Sequence, residues 1–291
     1  MKILITGGTG HTGERVVRRM IRQGHEVRLF TRGGKARVLA GLKDSGAVLV
    51  NGDLFQPWTL MDASAECDAI IGCSHVRHAP LLIAAARHNG IKRYVQMSST
   101  RRFTRWPCPT SRDVIRGEGA IERSGLDFTI LRATMIFGGS RDANLERLVQ
   151  RFRRRSWFPI FGDGRNLVQP VFVEDLVNAF EAAISRPEVA SGKAYTLAGP
   201  EPITYETMLR EIAGACGRTS PFLPHVPLGL ALAAARIAPP PLAKRGLTAE
   251  QIQRFGEDKT ADITPAMKDL DFRGTPFRDA IRLKVAGKVE V

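Results

Sequence analysis

Glycines and small polar residues near the start of the chain are spaced to bind phosphate. Residues 6–13 read T-G-G-T-G-H-T-G, between the apolar run Lys2–Ile5 and a stretch with helical spacing. Gly7 permits a tight turn, Gly10 allows a pyrophosphate to approach the backbone, and Gly13 allows helix and strand to pack closely. The helix N-terminus offers unpaired N–H groups to the anion. We therefore expect dinucleotide contacts from Gly7, Thr9, Gly10, His11, Thr12 and Gly13.

Cations follow the second predicted strand, Val27–Thr31. In an NAD-preferring site a carboxylate at this strand end binds the ribose 2′-hydroxyl, but no Asp or Glu occurs in residues 27–43. A 2′-phosphate requires positive charge, so Thr31 and Arg32, with Lys35 or Arg37 as helpers, favour NADP(H) over NAD(H). The alternative is that these are solvated loop cations in an arginine-rich chain.

Polar groups also follow the next strands. Asp53 comes after the predicted strand Val48–Val50, where it can accept a hydrogen bond from the adenine amino group or cap a helix starting near Pro57. The carboxyl ends of parallel strands meet at one edge of a sheet, so we expect further cofactor contacts there. These are Leu54, Cys73, Ser74 and Ser98.

Strand and helix patterns alternate through the first half of the chain. Further strands are predicted at Ala69–Cys73, Tyr94–Ser98 and Gly125–Arg132. This alternation predicts an α/β fold: a Rossmann-type doubly wound parallel sheet with a smaller, mostly helical C-terminal substrate lobe. The nucleotide-binding domain is expected to comprise residues 1–139 joined by 166–198, and the lobe residues 140–165 and 199–291.

The expected lobe begins with an amphipathic helix, 145–152, and an aromatic-rich loop beside the substrate cleft, 157–164. The chain is expected to return to the sheet at 168–173, where Glu174 and Asp175 would cap a helix at 176–185. Another helix is predicted at 205–216.

A Leu- and Ala-rich run, 228–238, ends at Pro239–Pro241. It can pack as a core helix, which we place first, line an apolar substrate pocket, or touch a membrane surface with Arg236, Lys244 and Arg245 nearby.

Composition indicates an enzyme-sized chain of a reducing compartment. The 291 residues are 43% hydrophobic, enough for a large core. The cysteines Cys67, Cys73, Cys108 and Cys216 form no C-x-x-C pair and show no metal-ligand spacing with the histidines. We expect no disulfide, no metal, no signal peptide or membrane span, and a cytoplasmic monomer or homodimer.

The formal net charge is +14, which raises the question of an anionic partner. The charge is spread along the chain, with one dense group at Arg151 and Arg153–Arg155, and no nucleic-acid motif accompanies it. We expect no nucleic-acid partner. An alternative hypothesis for this charge is peripheral docking to an acidic partner or to lipid headgroups.

Several motifs in order resemble the extended and atypical short-chain dehydrogenase/reductase superfamily. Besides the glycine turn they are G-D-L at 52–54, S-S-T at 98–100, G-L-D-F-T-I-L-R at 125–132, M-I-F-G at 135–138, V-F-V-E-D-L at 171–176 and Y-T-L-A-G-P-E-P-I-T-Y at 195–205. The segment 248–259, T-A-E-Q-I-Q-R-F-G-E-D-K, is similar to accessory subunits of respiratory complex I. The resemblance implies cofactor contacts near the nicotinamide carboxamide from Ala133 and Met135.

The resemblance also implies a Tyr-x-x-x-Lys pair, which this chain lacks. No tyrosine lies between Tyr94 and Tyr195, and no lysine lies between Lys92 and Lys193. The expected positions fall near Thr110 and Val114, which cannot replace a phenol and an ammonium. Atypical members such as nitrogen-regulator-like NADP(H) sensors are similar in lacking the pair.

Other groups must then supply a proton if the protein is a reductase. Candidates are Ser99 and Thr100, with Ser98 beside them, and His75 with His78. Arg112 or Arg116, on the helix that carries the lysine in the family, could hold the ribose or stabilise an oxyanion. Each of these has a structural alternative: backbone pairing for the serines, and an exposed surface position for the histidines and arginines.

Two functions therefore remain open. One is an NADP(H)-dependent oxidoreductase acting on a small apolar carbonyl or quinone-like substrate. The other is a non-catalytic NADP(H)-binding sensor, or an assembly or accessory protein of a membrane complex, stabilised by the nucleotide.

Overall fold

The computed structural model describes residues 1–142, 144–237 and 252–289. Pro239–Pro241, Lys244, Arg245 and residues 248–251 of the complex I-like segment, all singled out in the sequence, lie outside the described residues. Within the described ranges, no helix combines the length and apolar character needed to cross a bilayer.

The described strands alternate with helices along the first two thirds of the chain. They are β1 (Lys2–Thr6), β2 (Glu26–Thr31), β3 (Val48–Asn51), β4 (Ala69–Gly72), β5 (Arg93–Ser99), β6 (Asp127–Ala133), β7 (Ile136–Phe137), β8 (Ile160–Phe161), β9 (Leu167–Val168), β10 (Val171–Phe172), β11 (Lys193–Leu197), β12 (Ile203–Thr204) and β13 (His225–Val226).

The described helices are α1 (His11–Arg22), α2 (Ala36–Asp44), α3 (Pro57–Ser64), α4 (Ala79–His88), α5 (Pro109–Glu122), α6 (Glu146–Arg154), α7 (Val173–Ser185), α8 (Pro187–Ala190), α9 (Tyr205–Ala215), α10 (Leu228–Ile237), α11 (Thr264–Leu270) and α12 (Phe277–Val285). Short 3₁₀ turns occupy Val76–His78, Thr100–Phe103 and Arg254–Gly256.

Seven parallel strands form the central sheet in the order β11-β6-β5-β4-β1-β2-β3. The predicted doubly wound fold is confirmed. The strand order reverses between β1 and β4, where the register pairs Thr6 with Gly72. A ligand crevice opens at such a switch point, outside the carboxyl ends of the strands. The glycine turn after β1 lies at this crevice.

Helices cover both faces of the sheet. On one face Val16, Met20 and Phe180 of α1 and α7 are fully buried against the strands, and on the other Leu82 and Val114 of α4 and α5 are buried. Because both faces are covered, β1 and β4 at the centre are almost wholly apolar rather than alternating.

A third core holds the second lobe together. It is formed by Phe137, Phe152, Leu209 and Ile281 with their neighbours, from β7, α6, α9 and α12. The helices predicted at 145–152 and 205–216 are thus found as α6 and α9. The apolar run 228–238 forms α10 up to residue 237, with Leu230 66% exposed and Ala231 buried.

The path of the chain between the lobes differs from the prediction in two places. Residues 168–173 do not rejoin the central sheet: β10 pairs with β7 and β9 with β12, and the chain returns only at β11. Ile263, Ala266, Leu270 and Phe272, expected in the lobe, pack into the core under α1 and α7. Burial of these four side chains joins the C-terminal segment to the nucleotide-binding half.

Candidate functional site

The turn between β1 and α1 is shaped by two glycines that lack space for a side chain. Gly7 has φ of +72°, and a Cβ there would lie 2.5 Å from Ser74 N. A Cβ on Gly13 would lie 2.2 Å from the Gly7 carbonyl oxygen. Steric fit within the protein therefore requires both residues, and Gly13 packs on the turn itself rather than on the strand.

Gly10 differs because its open side faces solvent. A Cβ there would meet only the Gly7 oxygen, at 3.1 Å, and its φ of −77° suits any residue. Gly10 is the N-cap of α1, and no side chain caps the helix there. The first-turn amides therefore point at an open site, which fits a dinucleotide pyrophosphate.

Arg141, from the loop after β7, holds the second lobe against this turn. Its guanidinium donates 2.5 Å to the Thr9 carbonyl and forms an ion pair with Glu14, which is buried in the first turn of α1. Sequence reasoning missed Arg141, because its partners lie about 130 residues away.

His11 lies beside the same loop. Burial, followed by the charges of Arg15, Arg141 and Lys284, lowers the pKa of His11 to about 4. Its Nε2 atom is buried and has no hydrogen-bond partner among the described residues. His11 is therefore neutral near pH 7, and the positive charge beside the turn comes from the two arginines and the lysine.

The residues predicted for the adenosine end lie together at the ends of β2 and β3. Arg32 is 72% exposed, and its Nη1 lies 3.9 Å from Asp53 Oδ2, a weak contact that leaves the guanidinium free to turn to a ligand. Thr31 hydrogen-bonds Gly33, and a Cβ on Gly34 would lie 3.3 Å from Thr9. This loop therefore borders the glycine turn, whereas Arg37 is exposed on α2.

Asp53 does not cap α3, which was one of its two predicted roles, while its contact with the adenine stays a prediction. Its Oδ1 accepts from Phe55 N at 3.0 Å, while the N-cap of α3 is Gln56, so Asp53 closes the turn before the helix and is not the cap. Phe55 is 67% exposed and meets the His78 ring edge-on at 5.4 Å. Sequence reasoning missed this aromatic pair; an apolar ring directly after G-D-L was the available signal.

Several residues predicted to contact the cofactor have side chains that are buried or partly buried in the core. Cys73 and Ala133 are buried in the core, and Leu54 and Met135 pack against core clusters. Burial raises the pKa of the Cys73 thiol to about 12. Ser74, by contrast, lies 3.1 Å from the Thr6 hydroxyl at the mouth of the crevice, and Thr12 is buried in α1.

The hydroxyls of Ser98 and Ser99 at the end of β5, and of Thr100 just after it, have three different environments. Ser98 is buried and donates 2.5 Å to Glu118, so its side chain faces α5 instead of the expected cofactor. Thr100 donates to the Ala133 carbonyl at 3.4 Å. Ser99 accepts from Arg101 N at 3.2 Å, which leaves its own O–H able to donate to a ligand.

Glu118 is the centre of a charged cluster that the sequence did not reveal. It is fully buried on α5 and pairs with Arg102 and, at 2.8 Å, with Arg132. Both guanidiniums also lie over the Phe103 ring. Two cations and a hydroxyl compensate the buried carboxylate, so this cluster fixes α5 to the ends of β5 and β6.

The positions expected for the missing dyad carry no acid. Thr110 lies in the first turn of α5, and Val114 is 1% exposed in the core. Burial raises the pKa of all three tyrosines of the chain, Tyr205 to about 12, with Tyr195 also bonded to Asp269. None of them can act as a phenol of lowered pKa.

The other residues predicted to take part in the chemistry, two histidines and two arginines, lie nearer the surface. His75 is exposed after β4; burial of its ring and the neighbouring Arg77 lower its pKa, so it is largely neutral at pH 7. The pKa of His78 is lowered in the same way. Arg112 and Arg116 are exposed on α5.

Lys259 is a titratable group near this edge that the sequence did not single out. Burial, with the charges of Arg254 and Arg101, lowers the pKa of Lys259 to about 8. Two residues earlier, the buried Glu257 accepts from Thr104 Oγ1 at 3.0 Å and from Arg105 N at 2.5 Å, just beyond the 3₁₀ turn that follows β5. Glu257 thus ties the C-terminal segment to the loop after β5, and the Lys259 ammonium donates 2.8 Å to the Arg254 carbonyl.

Two carboxylates expected to cap α7 bind other elements instead. The N-cap is Phe172. Glu174 accepts from Arg15 at 2.8 Å, and Asp175 accepts from Thr275 N at 2.7 Å. Burial raises the pKa of Asp175. These residues join α7 to α1 and to the C-terminal segment.

A cavity of about 780 Å³ opens in the second lobe beside the predicted loop 157–164. Its walls include Pro227 and Leu228, but they are more polar than the predicted apolar cleft. The polar lining residues are Asp163, Arg165, Asn166, His225 and Asp258.

Two family profiles match the chain. The NAD(P)H-binding family matches residues 7–151, and the NAD dependent epimerase/dehydratase family matches residues 118–198. These two matches, with the relatives described below, fit the atypical short-chain dehydrogenase/reductase superfamily that the motifs resemble. The NAD(P)H-binding match covers the glycine turn and the strands around the crevice, so this part of the chain is an NAD(P)-binding domain, and its individual cofactor contacts stay predictions.

Relatives within the superfamily have different roles by name. The chain is 34% identical over 146 residues to photosystem II assembly factor Ycf39 of Synechocystis, covering 45% of this chain and 44% of that protein. It is 26% identical to 2-alkyl-3-oxoalkanoate reductase of Stenotrophomonas maltophilia, covering 75% and 76%. It is 27% identical to NADH dehydrogenase [ubiquinone] 1 alpha subcomplex subunit 9 of Arabidopsis thaliana, covering 69% and 54%. The chain thus spans less than half of Ycf39 and about half of the plant subunit.

Solved structures of the superfamily share the fold. A UDP-glucuronic acid 4-epimerase from Bacillus cereus superposes with a TM-score of 0.78 at 14% identity, covering 99% of this chain and 98% of the other. An NADPH-dependent quinone oxidoreductase from Escherichia coli superposes with a TM-score of 0.75 at 20% identity, covering 96% and 98%.

Proposed function

We propose that the protein is an NADP(H)-dependent oxidoreductase that transfers hydride to or from a small carbonyl or quinone-like compound without a Tyr/Lys dyad. The observation that carries the proposal is the open glycine turn: Gly10 is exposed at an uncapped helix end, at the same sheet edge as the Ser99 hydroxyl. When bound, the dihydronicotinamide supplies the hydride.

The preference for NADP(H) rests on Arg32. It is exposed at the end of β2, and its contact with Asp53 is long enough to be exchanged for a 2′-phosphate. The adenine would be flanked by the rings of Phe55 and His78. Arg141 supports the site indirectly, because its bond to the Thr9 carbonyl and its ion pair with Glu14 hold the turn in place.

The chain's own residues then have distinct tasks. Ser99 donates a hydrogen bond to the substrate oxygen and polarises the carbonyl. Lys259, whose pKa is lowered to about 8 by burial and by the charges of Arg254 and Arg101, supplies the proton through water. The Glu118 cluster positions the turn that carries Ser99 and Thr100.

The cavity in the second lobe suggests how the substrate is held. The polar side chains of Asp163, Arg165, His225 and Asp258 favour a polar group, and Pro227 and Leu228 favour an apolar chain. An oxo acid with an alkyl chain has both. The similarity to a 2-alkyl-3-oxoalkanoate reductase supports testing this class before simple quinones and aldehydes.

The test is NADPH consumption by the purified chain with alkyl oxo acids, quinones, aldehydes and enones. Turnover of at least one class that falls strongly in Ser99→Ala, with unchanged nucleotide affinity, supports the proposal. Ser98→Ala is the matched control for a neighbouring hydroxyl that faces Glu118. Equal loss in both variants would contradict the role of Ser99.

A second candidate function is a non-catalytic NADP(H) sensor or assembly protein. It is favoured by Val114, buried at the lysine position, and by the absence of a usable tyrosine. The likeness to an assembly factor and to a respiratory-chain subunit points the same way. A thermal shift with NADPH and no turnover of any tested class would select it.

The four free thiols fit a cytoplasmic location, which we retain with a monomer or homodimer as the working state.

A further inference from the structure

Helix α6 presents a row of arginines to solvent. Arg147, Arg151, Arg154 and Arg155 line a groove of about 450 Å³ along the helix, with Glu146 and Gln150. The Glu146 carboxylate is engaged by Lys284 at 2.7 Å and by Gln150 at 2.7 Å. Within the described part of the chain, no carboxylate forms an ion pair with any of the four guanidiniums. Their charge is therefore available to an external anion.

Two exposed aromatic side chains adjoin this groove. Trp157 is 40% exposed and Phe222 is 70% exposed. They form a parallel β-bridge, supported by Phe222 N donating 2.7 Å to the Ser156 carbonyl. Bridged residues of adjacent strands point to the same face, so the two rings project side by side.

Arg151 joins the groove to the rings. Its guanidinium carbon lies 4.4 Å from the centroid of the Trp157 ring. The six residues Arg147, Arg151, Arg154, Arg155, Trp157 and Phe222 thus form one arginine–aromatic surface. It belongs to the second lobe and shares no residue with the nucleotide crevice.

The chemistry of this surface fits an anionic lipid bilayer. Guanidiniums bind lipid phosphates, and Trp and Phe rings are stable at the depth of the headgroups. Single-stranded nucleic acid would instead require a series of open ring faces on which bases stack. This surface has two rings, and Arg151 already covers a face of one of them.

We propose that the arginine–aromatic surface docks the protein reversibly on anionic membranes, with lipid phosphates between the guanidiniums and both rings in the headgroup layer. This docking is independent of the reaction at the crevice. It would place the second-lobe cavity near a source of amphipathic substrates.

The test is co-sedimentation of the full chain, saturated with NADPH, with lipid vesicles. We expect binding to phosphatidylcholine vesicles containing about one third phosphatidylglycerol, weak binding to pure phosphatidylcholine, and release by high salt. Arg154→Gln/Arg155→Gln should weaken binding about fivefold per guanidinium, so on the order of 25-fold together. Trp157→Ala/Phe222→Ala should weaken it at unchanged net charge.

The matched control is Arg22→Gln/Arg186→Gln, which removes two exposed charges from α1 and the end of α7. It should retain vesicle affinity within about twofold, and every variant should keep its NADPH affinity as proof of folding. Equal loss in both arginine pairs would show bulk attraction and overturn the proposal. Tighter binding of RNA than of vesicles, with the same dependence on Arg154 and Arg155, would assign the surface to nucleic acid instead.

Discussion

Alanine at Gly10 and at Gly13 should separate a glycine required by the ligand from one required by the fold. At Gly13 a Cβ would lie 2.2 Å from the Gly7 oxygen and 2.8 Å from Gly8 Cα, so the backbone must move. At Gly10 the nearest atom is 3.1 Å away, and the backbone conformation suits alanine. We expect Gly13→Ala to lower the free energy of unfolding by about 1–3 kcal/mol. For Gly10→Ala the loss should be about 1 kcal/mol or less, because alanine is only a poorer N-cap.

The substitution that barely affects stability, Gly10→Ala, should strongly weaken nucleotide binding. The methyl group of Gly10→Ala would occupy the space between the first-turn amides and the pyrophosphate. Both NADPH and NADH should therefore bind at least tenfold more weakly, a loss of about 1.4 kcal/mol or more.

The assay combines urea unfolding with calorimetric titration of each variant. A stable Gly10→Ala protein that binds both nucleotides as tightly as the wild type would refute the placement of the pyrophosphate at this turn. Equal destabilisation by the two substitutions would refute the steric distinction between the glycines.

Three other perturbations test separate parts of the site. Arg32→Glu should weaken NADPH at least tenfold in titrations while leaving NADH nearly unchanged, and equal loss of both would indicate damage to the fold instead of a lost phosphate contact. His11 has a pKa lowered from 6.5 to about 4 in the folded state, so its contribution to stability is present above pH 6.5 and is lost as pH falls towards 4. Urea unfolding should show wild type losing on the order of 3 kcal/mol more than His11→Asn over that interval, and parallel curves would contradict the burial of the ring. Lys259→Met should remove the break near pH 8 from the rate profile of any NADPH-dependent turnover, whereas a profile that keeps the break would exclude Lys259 as the proton source.

The elements with local signals were predictable from the sequence. The glycine turn, the strand ends and the register of α5 follow from short patterns, and the structure places Thr110 and Val114 on the helix where the dyad was sought. Val114 is buried in the core beside the sheet. A side chain at this position therefore cannot act on a cofactor as the family's lysine does.

The groups that depend on distant partners were not predictable. In the sequence Glu118 resembles any other charged residue of a helix. Its partners Arg102 and Arg132 belong to two other elements, and only the fold brings them together. Arg141 was missed for the same reason, because it donates to the Thr9 carbonyl of the glycine turn but lies 132 residues later in the chain.

The predicted path of the chain through the second lobe was wrong for a related reason. Its strands are two residues long, too short for a periodic pattern, so the pairing of β10 with β7 leaves no trace in the sequence. Ile263, Ala266, Leu270 and Phe272 were assigned to the lobe because of their position late in the chain, although burial places them in the first core.

Calorimetric titration of the folded protein with NADPH and with NADH tests the central claim most directly. The account predicts saturable binding of NADPH at least tenfold tighter than that of NADH, and retention of this binding in Ser99→Ala. Absence of heat with either nucleotide on material that unfolds cooperatively would contradict it, because the exposed glycine turn and the arginine beside it would then have no ligand.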